Sequence, residues 1–461
     1  MKIAIIPIDN RPICYDLIED VLSIKTDIQF FLPKISDLGG LTTSSNVDNL
    51  FDFIENLDNV DSLIVCLDTL AYGGLVSSRR SLDSFNEVKK RVLKFREIAS
   101  KKCKKILAFS SIMRISNNNI NEEEKEYWSD FGKKIFDWSY NSHKNNSNSL
   151  PLVVPKEIIN DYLETRKRNF EINKLYLELA SENFFDTLIF SKDDCAQFGL
   201  NIKEASEIQN LIEEKKLKNV FVKTGADEIP LALISRAIVG DKKIKINPIF
   251  IEKKSTNLIS KYEDISIENC VKSQLFIANL EIAKDSDLNF LINNFKKEQG
   301  DLVLGDKINE IQKEINFLDS PYFIADVNNA NGADCGFVNQ LFKQKIANFF
   351  GYCAYNTSAN TIGCSILIAL VKFLALKENK YNDIAFKKIN FIRFLDDWAY
   401  QAKVRKFVRE SAIDFKKALL EKEEELNKFS FEISKFLDFY PNKITYSLPW
   451  NRSFEIRIKL N

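Results

Sequence analysis

The sequence predicts an α/β fold: a (β/α)-barrel-like parallel sheet with a mainly helical C-terminal region. Three observations support this class. Short apolar runs recur along the first half of the chain, polar turn residues follow each run, and an amphipathic segment with helical spacing comes next. Buried parallel strands joined by helical crossovers produce this rhythm, so we expect a sheet whose helices cover its faces.

The apolar runs define the predicted strands, and the Leu-, Lys- and Glu-rich segments between them define the helices. The predicted strands are residues 3–8, 28–32, 62–67, 105–109, 187–190, 219–222 and 322–327. The predicted connecting helices are residues 84–100, 122–139 and 156–182.

Changes in this rhythm predict three regions. Residues 1–245 form a βα-repeat catalytic core, and residues 246–364 complete the α/β core. Residues 365–461 form a mainly helical region with a charged amphipathic helix at 411–434 and an extended segment at 446–461.

Composition narrows the functional classes. The 461 residues contain 65 Lys and Arg against 65 Asp and Glu, so no net charge attracts a nucleic acid or an anionic membrane. The apolar run at the N-terminus is too short for a signal peptide, and no run of 18 apolar residues is seen. We expect a cytoplasmic protein with reduced thiols and no nucleic-acid or membrane partner. The sequence does not indicate an oligomeric state.

The single histidine, His143, restricts the catalytic chemistry. It lies in the polar run 139–149, which predicts an exposed loop away from any site. Histidine-based triads and histidine-rich zinc sites are therefore excluded, and the eight cysteines have no CxxC spacing. If the protein is an enzyme, carboxylates must carry the proton transfers, and we expect no cofactor and no metal.

Polar side chains follow most of the predicted strands. The carboxyl ends of parallel strands meet at one edge of a sheet, so we expect these residues to surround a common ligand. Carboxylates, amides and arginines in this number suit a small carbohydrate with many hydroxyl groups and few charges. The predicted substrate-binding residues are Asp9, Asn10, Arg11, Asp68, Tyr72, Arg114, Asp227, Glu228, Asp326, Asn328, Asn356, Asn360 and Asp397.

The acidic pair Asp193 and Asp194 is the predicted catalytic feature. Two carboxyl groups held close together cannot both ionise freely, so one keeps its proton near neutral pH. Cleavage of a glycosidic bond needs such an acid beside an ionised partner. Adjacent residues in a strand point to opposite faces, so both side chains reach one site only if the strand ends by Lys192.

Several segments resemble a bacterial family of unknown function, DUF4127, and the resemblance spans nearly the whole chain. These segments are IPIDNRP at 6–12, DTLAYGGLVSSR at 68–79, MRISNN at 113–118, TRKRNF at 165–170, SKDD at 191–194, GADE at 225–228, YNTSANTIG at 355–363 and PWNRSFE at 449–455. The resemblance implies no activity.

Asp193 and Asp194 are also similar to the paired acids of retaining β-N-acetylhexosaminidases that use substrate assistance. That likeness implies that Asp193 orients the substrate acetamido group and that Asp194 is the general acid/base. Our hypothesis is a glycoside hydrolase that acts on an amino-sugar-containing glycan fragment. The alternatives are a non-catalytic carbohydrate- or metabolite-binding protein and a hydrolase or transferase that depends on a hard cation.

Overall fold

The computed structural model describes residues 1–147, 150–151, 153–305, 307–411 and 414–460. These residues divide into two compact units. Unit 1 contains Met1–Asn10, Gln29–Pro230 and Tyr262–Asp264, and unit 2 contains Arg11–Ile28, Leu231–Lys261 and the described part of Ile265–Asn461. The sequence analysis placed boundaries after residues 245 and 364. The two units are instead built from three separate segments each, because the chain passes from one unit to the other several times.

The strands are β1 Lys2–Ile6, β2 Gln29–Phe31, β3 Ser62–Cys66, β4 Ile106–Ile112, β5 Thr187–Lys192, β6 Val220–Thr224, β7 Lys245–Phe250, β8 Glu281–Ile282, β9 Leu288–Asn293, β10 Gly300–Asp301, β11 Tyr322–Asp326, β12 Asn329–Ala330, β13 Phe349–Cys353, β14 Ile444–Ser447 and β15 Arg457–Leu460.

The α-helices are α1 Asp16–Leu22, α2 Val47–Glu55, α3 Leu67–Tyr72, α4 Leu75–Arg80, α5 Phe85–Lys102, α6 Trp128–Lys144, α7 Lys156–Ser181, α8 Leu200–Glu214, α9 Ile229–Val239, α10 Ile267–Ile277, α11 Cys335–Leu341, α12 Ser358–Lys377, α13 Asp383–Arg393, α14 Arg405–Glu410, α15 Phe415–Glu421 and α16 Glu423–Leu437. Short 3₁₀ turns occur at Ile35–Asp37, Ile346–Asn348 and Pro449–Asn451, and Phe394–Val404 is π-helical.

Unit 1 is built on a six-stranded sheet in the order β2-β1-β3-β4-β5-β6, and all neighbouring strands run parallel. Every residue of β3 and β4 is buried, as expected for parallel strands covered on both faces. Helix α5 begins at a capping box formed by Ser84 and Glu87, and it packs on α2, α3 and α7. The carboxyl ends of β3, β4, β5 and β6 therefore lie side by side.

Unit 2 contains a five-stranded parallel sheet in the order β13-β11-β9-β7-β8. Helix α12 packs on β11 and β13. This 20-residue helix is long and apolar enough to cross a membrane, although Lys372 and several polar residues interrupt its apolar sequence, and 94% of its most apolar window is buried inside the protein. Burial of that extent is typical of a core helix.

The α/β class and the parallel sheet are confirmed, and each of the seven predicted strands is present. The strands form two sheets, and among the described residues no strand pair closes either sheet into a barrel. Strands β7, β9 and β13 were not predicted. Pro248 lies within β7 and Gly351 lies within β13, and both residue types argue against a strand when only the sequence is considered.

Two local predictions were wrong. His143 lies in the last turn of α6 instead of an exposed loop, and its Nδ1 accepts a hydrogen bond from the Gly199 amide at 3.1 Å. The charged helix predicted at 411–434 is divided between α15 and α16, and residues 412 and 413 lie outside the described part of the chain. The extended segment predicted at 446–461 contains the second strand of the antiparallel hairpin β14–β15, and residue 461 is not among the described residues.

Candidate functional site

The predicted site residues divide between the two units. Unit 1 contains Asp9, Asn10, Asp68, Tyr72, Arg114, Asp193, Asp194, Asp227 and Glu228, and unit 2 contains Arg11, Asp326, Asn328, Asn356, Asn360 and Asp397. Each group is described within its own unit.

The two predicted catalytic residues directly follow β5. This strand ends at Lys192, as the prediction required, and the backbone of Asp194 has a φ of 24°. A positive φ is uncommon for a residue with a side chain, although Asp adopts it more readily than most. The turn brings both carboxyl groups to one guanidinium: Arg114 Nη1 lies 3.4 Å from Asp193 Oδ2 and 3.0 Å from Asp194 Oδ2.

Six residues of unit 1 form what we call the acid–arginine cluster: Arg79, Arg114, Glu123, Glu124, Asp193 and Asp194. Arg114 also donates to Glu123 at 2.8 Å and to Glu124 at 3.3 Å. Arg79 Nη1 lies 3.6 Å from Asp193 Oδ2, and Arg79 Nη2 donates to Glu123 Oε2 at 3.4 Å. Four acids thus share two guanidinium groups, which leaves an excess of carboxylate charge.

Solvent access differs sharply between the two aspartates. The side chain of Asp193 is 12% exposed and that of Asp194 is 42% exposed. Asp193 is thus enclosed between two arginines, whereas the carboxyl group of Asp194 remains accessible to a ligand.

The protonation of this pair follows from its surroundings. Desolvation, followed by the charge of Asp193, raises the pKa of Asp194 to about 7. Because the side chain of Asp194 is partly open to solvent, burial acts on it less strongly, and the charge of the neighbouring Asp193 carboxylate is a major cause of the raised pKa. Burial also raises the pKa of Asp193, but the guanidinium groups of Arg114 and Arg79 oppose that rise. The two groups titrate together, and Asp194 is the one placed to hold the proton near neutral pH.

Asp68 lies in the first turn of α3, directly after β3, where the charge of Arg79 acts on it. Its Oδ2 accepts a hydrogen bond from the Ser111 amide at 2.8 Å, and its side chain is buried. Burial raises the pKa of Asp68 to about 6, while the Ser111 hydrogen bonds and the charge of Arg79 act in the opposite direction. Asp68 therefore joins the carboxyl end of β3 to that of β4.

Helix α7 fixes the backbone on which both arginines stand. Arg166 Nη1 donates to the Met113 carbonyl at 2.9 Å, next to Arg114. Arg168 and Asn169 donate to the Ser78 carbonyl at 2.7 and 2.9 Å, next to Arg79. The TRKRNF segment at 165–170 thus fixes the backbone beside each of the two arginines.

Asp227 and Glu228 follow β6 and differ in role. The charge of Asp227 contributes to the raised pKa of both Asp193 and Asp194, which places it beside the pair. Glu228 is buried, and its Oε2 accepts a hydrogen bond from the Ala226 amide at 3.1 Å. Gly225 has a φ of 118°, and a Cβ there would lie 1.6 Å from Glu228 Oε1. Glu228 therefore shapes the turn that carries Asp227.

The remaining predicted residues of unit 1 are less directly connected to the cluster. Asp9 is buried, and the Asn10 amide donates to the Gly39 carbonyl at 3.2 Å. Tyr72 lies in the wall of a separate cleft of about 580 Å³, and the guanidinium carbon of Arg168 lies 5.0 Å from the centre of its ring. Burial strongly raises the pKa of the Tyr72 hydroxyl.

In unit 2, Arg11 lies among aromatic and acidic groups. Its Nη1 is 3.3 Å from Glu455 Oε1, and its guanidinium carbon lies 5.3 Å from the centre of the Trp450 ring. Tyr355 donates to the same Glu455 oxygen at 2.6 Å. The PWNRSFE segment at 449–455 thus contributes the partners of Arg11.

Asp326 and Asn328 belong to an internal hydrogen-bond network. Asp326 accepts from the Asp334 amide at 2.8 Å, from the Tyr352 hydroxyl at 2.9 Å and from Asn293 at 2.9 Å. Asn328 donates to Asp334 Oδ2 at 2.7 Å. Burial, followed by the charge of Asp334, raises the pKa of Asp326 to about 8. Asp326 thus holds two strand ends together inside unit 2.

Asp397 is enclosed in the same unit, where its Oδ2 accepts a hydrogen bond from the Ala354 amide at 2.7 Å and its Oδ1 lies 3.4 Å from Arg393 Nη1. The Asn356 carbonyl accepts a hydrogen bond from the Asn331 amide at 2.8 Å. The Asn360 amide is capped by the Thr357 side chain at the start of α12. These contacts give the three residues internal partners, and their predicted contact with a substrate remains a prediction.

The predicted site residues did not include three members of the acid–arginine cluster, Arg79, Glu123 and Glu124, or the adjoining Asp264. Glu123 and Glu124 lie between β4 and α6, in a run of three glutamates typical of a solvated helix start. Asp264 lies 70 residues beyond Asp194 in the chain. The only signal for Glu123 and Glu124 was their position after the MRISNN segment, and no local signal identified Asp264.

Among the described residues, no group of three or more His, Cys, Asp or Glu side chains is placed to hold a metal ion. No curated protein and no solved structure shows a match to the chain. Residues 3–459 match the family described as protein of unknown function (DUF4127), in agreement with the resemblance of the eight segments. The chain therefore belongs to the DUF4127 family.

Proposed function

We propose that this protein is a glycoside hydrolase that cleaves an amino-sugar-containing glycan fragment in the cytoplasm, with Asp194 as general acid/base. One observation carries the proposal: an accessible Asp194 carboxyl group with a raised pKa beside a buried Asp193, both held by Arg114. A general acid works best when its pKa lies near the working pH, which is the condition that this pair meets.

In the proposed reaction the substrate supplies its own nucleophile. The carbonyl oxygen of the acetamido group attacks the anomeric carbon, while the bond from that carbon to the glycosidic oxygen breaks. Asp194 gives its proton to the leaving oxygen. Water then adds to the anomeric carbon of the cyclic intermediate while the bond from that carbon to the acetamido oxygen breaks, which restores the acetamido group. The water passes a proton back to Asp194, and two displacements at the same carbon retain the configuration.

The role of Asp193 follows from its enclosure. The guanidinium groups of Arg79 and Arg114 favour its ionised form. An ionised carboxylate accepts a hydrogen bond from the acetamido N–H, and this contact turns the carbonyl oxygen towards the anomeric carbon. It also stabilises the positive charge that develops on the acetamido group, which is an electrostatic contribution to catalysis.

Substitution of each aspartate tests these roles. We expect Asp194→Asn to lower kcat on an N-acetylhexosaminide with a poor leaving group by about 10²–10⁴-fold. The loss should be smaller with an activated aryl leaving group, which departs without a proton. Asp193→Asn should lower kcat for both leaving groups, because the orienting contact is needed in either case.

Asp161→Asn is the matched control, because the side chain of Asp161 is also 42% exposed and paired with a single cation, Lys125. This variant should keep the wild-type kcat. Equal kcat values for the wild type, Asp193→Asn and Asp194→Asn would contradict the proposal. Binding of N-acetylhexosamines without any turnover would instead support the non-catalytic carbohydrate-binding alternative.

A further inference from the structure

A three-residue segment, Tyr262–Asp264, contacts the chain on both sides of the aspartate pair. The segment belongs to unit 1, although the residues before and after it belong to unit 2. The carboxylate of Asp264 forms an ion pair with Lys192, the residue before Asp193. The Tyr262 carbonyl accepts a hydrogen bond from the Cys195 amide, the residue after Asp194, at 3.4 Å.

Asp264 also reaches the neighbouring strand. Its Oδ1 accepts a hydrogen bond from Thr224 Oγ1 at 2.6 Å, at the end of β6 and three residues before Asp227. The Gly225 amide donates to the Lys192 carbonyl at 2.9 Å, so the two strand ends are also joined directly. Asp264 thus connects the turns that carry Asp193, Asp194 and Asp227.

The Lys192–Asp264 ion pair is largely removed from solvent, since the two side chains are 13% and 11% exposed. Burial by itself would raise the pKa of Asp264, but Lys192, Thr224 and Cys195 more than compensate and the pKa is lowered. Asp264 is therefore the anionic member of a buried pair. Loss of one member of such a pair leaves the other charge uncompensated.

We infer that Asp264 is a positioning residue that holds the Asp193–Asp194 turn in its working geometry. This inference rests on the proposed function for its consequence in catalysis. The turn lies beyond the last paired residue of β5, so its conformation depends on the arginines that contact its two carboxyl groups and on the contacts at its two ends. Displacement of a catalytic group by about 1 Å lowers a rate by about 10²-fold, so an anchor of this kind is needed for full activity.

Loss of the anchor changes the titration of Asp194 in a defined direction. The charged groups that act on Asp194 are Asp193, Arg114, Glu123 and Asp227. A loosened turn separates Asp194 from Asp193 and admits water, and the freed Lys192 ammonium adds positive charge nearby. Each of these changes lowers the pKa of Asp194. Separation of Asp194 from Arg114 acts in the opposite direction, but burial and the charge of Asp193 have the larger effects. A general acid must be protonated, so the alkaline limb of the kcat profile should move to lower pH.

The experiment compares Asp264→Asn and Asp264→Ala with wild type, using the full chain. Asp264→Ala should lower kcat by about 10–100-fold with a smaller change in KM. Asp264→Asn, which can still accept the Thr224 hydrogen bond, should lose less. In both variants the alkaline limb should shift by about half a pH unit or more towards acid. Asp161→Asn, which also removes the acid of a lysine pair, should change neither quantity.

A second readout does not require activity: the titration of Asp194 followed by NMR of ¹³C-labelled aspartate carboxyl groups and assigned with Asp194→Asn. The same acid shift is expected. If wild-type protein hydrolyses no glycoside, the proposed function fails, and the NMR titration still decides the role of Asp264. If Asp264→Ala does not fold, the Asp264→Asn protein gives the answer. Folded variants with wild-type kcat, pH profile and Asp194 titration would overturn the inference.

Discussion

Replacement of Asp194 by Asn should stabilise the folded protein at alkaline pH. The wild-type carboxyl group has a pKa of about 7 in the folded protein, against an ordinary value of 3.8. Between these values the folded protein holds a proton that the unfolded chain has released. The free energy of unfolding therefore falls as pH rises from about 4 to 7, and it stays lower above that range. Asparagine has nearly the same shape and does not titrate.

The size of the effect follows from the same values. A change in pKa from 3.8 to about 7 corresponds to about 4 kcal/mol if it is fully expressed in stability. The side chain of Asp194 is 42% exposed, so solvent screening reduces the effect to about 1–2 kcal/mol. We expect Asp194→Asn to be more stable than wild type by this amount at pH 8 and equal to it near pH 4.

Urea denaturation at pH 4, 6 and 8 measures the difference directly. Asp161→Asn is again the control: it removes an equally exposed carboxyl group that pairs with Lys125, so it measures any general effect of an Asp→Asn change on stability. If Asp194→Asn were no more stable than wild type at pH 8, the raised pKa of Asp194 and the acid role based on it would be refuted.

Three further predictions concern the surroundings of the site. Arg114→Met should lower the free energy of unfolding by about 3–5 kcal/mol at pH 8, because it leaves several carboxylates without their cation. The loss should be smaller at pH 5, and an equal loss at both pH values in urea denaturation would contradict the stabilising role of Arg114 in the cluster. Gly225→Ala should cost at least about 2 kcal/mol, since the new Cβ would meet Glu228 and the φ of 118° suits glycine; a wild-type denaturation midpoint would contradict this. Asp326→Ala should cost about 3 kcal/mol near pH 6 by leaving donors unpaired, and less above pH 8, where the wild-type group itself becomes charged; a loss that grew with pH would be inconsistent.

The sequence alone was sufficient to predict the strands that consist of continuous apolar runs and to identify the polar residues that follow them. It placed Asp193 and Asp194 at the end of a strand, and the structure ends β5 at Lys192 as required. It also identified Arg114, which binds both aspartates. These features depend on local patterns: a short stretch of sequence contains both the apolar run that forms the strand and the polar residues that end it.

Long-range features escaped the sequence. Asp264 reaches Lys192 only because residues 262–264 return to unit 1, and no local pattern encodes such a return. Asp326 lies at the end of β11, and its carboxyl oxygens accept hydrogen bonds from three internal donors that no local pattern indicated; its predicted contact with substrate stays a prediction. Whether a strand-end aspartate faces a ligand or a neighbouring strand depends on three-dimensional packing, which composition and spacing do not determine.

The most direct test of the central claim is a comparison of two substrates by the wild-type protein. One is an aryl 2-acetamido-2-deoxyhexoside, and the other is the matching aryl hexoside with a hydroxyl group at C2. In the proposed mechanism the acetamido carbonyl is the nucleophile, so the first substrate should be hydrolysed with retained configuration and the second should not react measurably. Equal turnover of both, or none of either across anomers and hexose types, would contradict the assignment of Asp193 and Asp194.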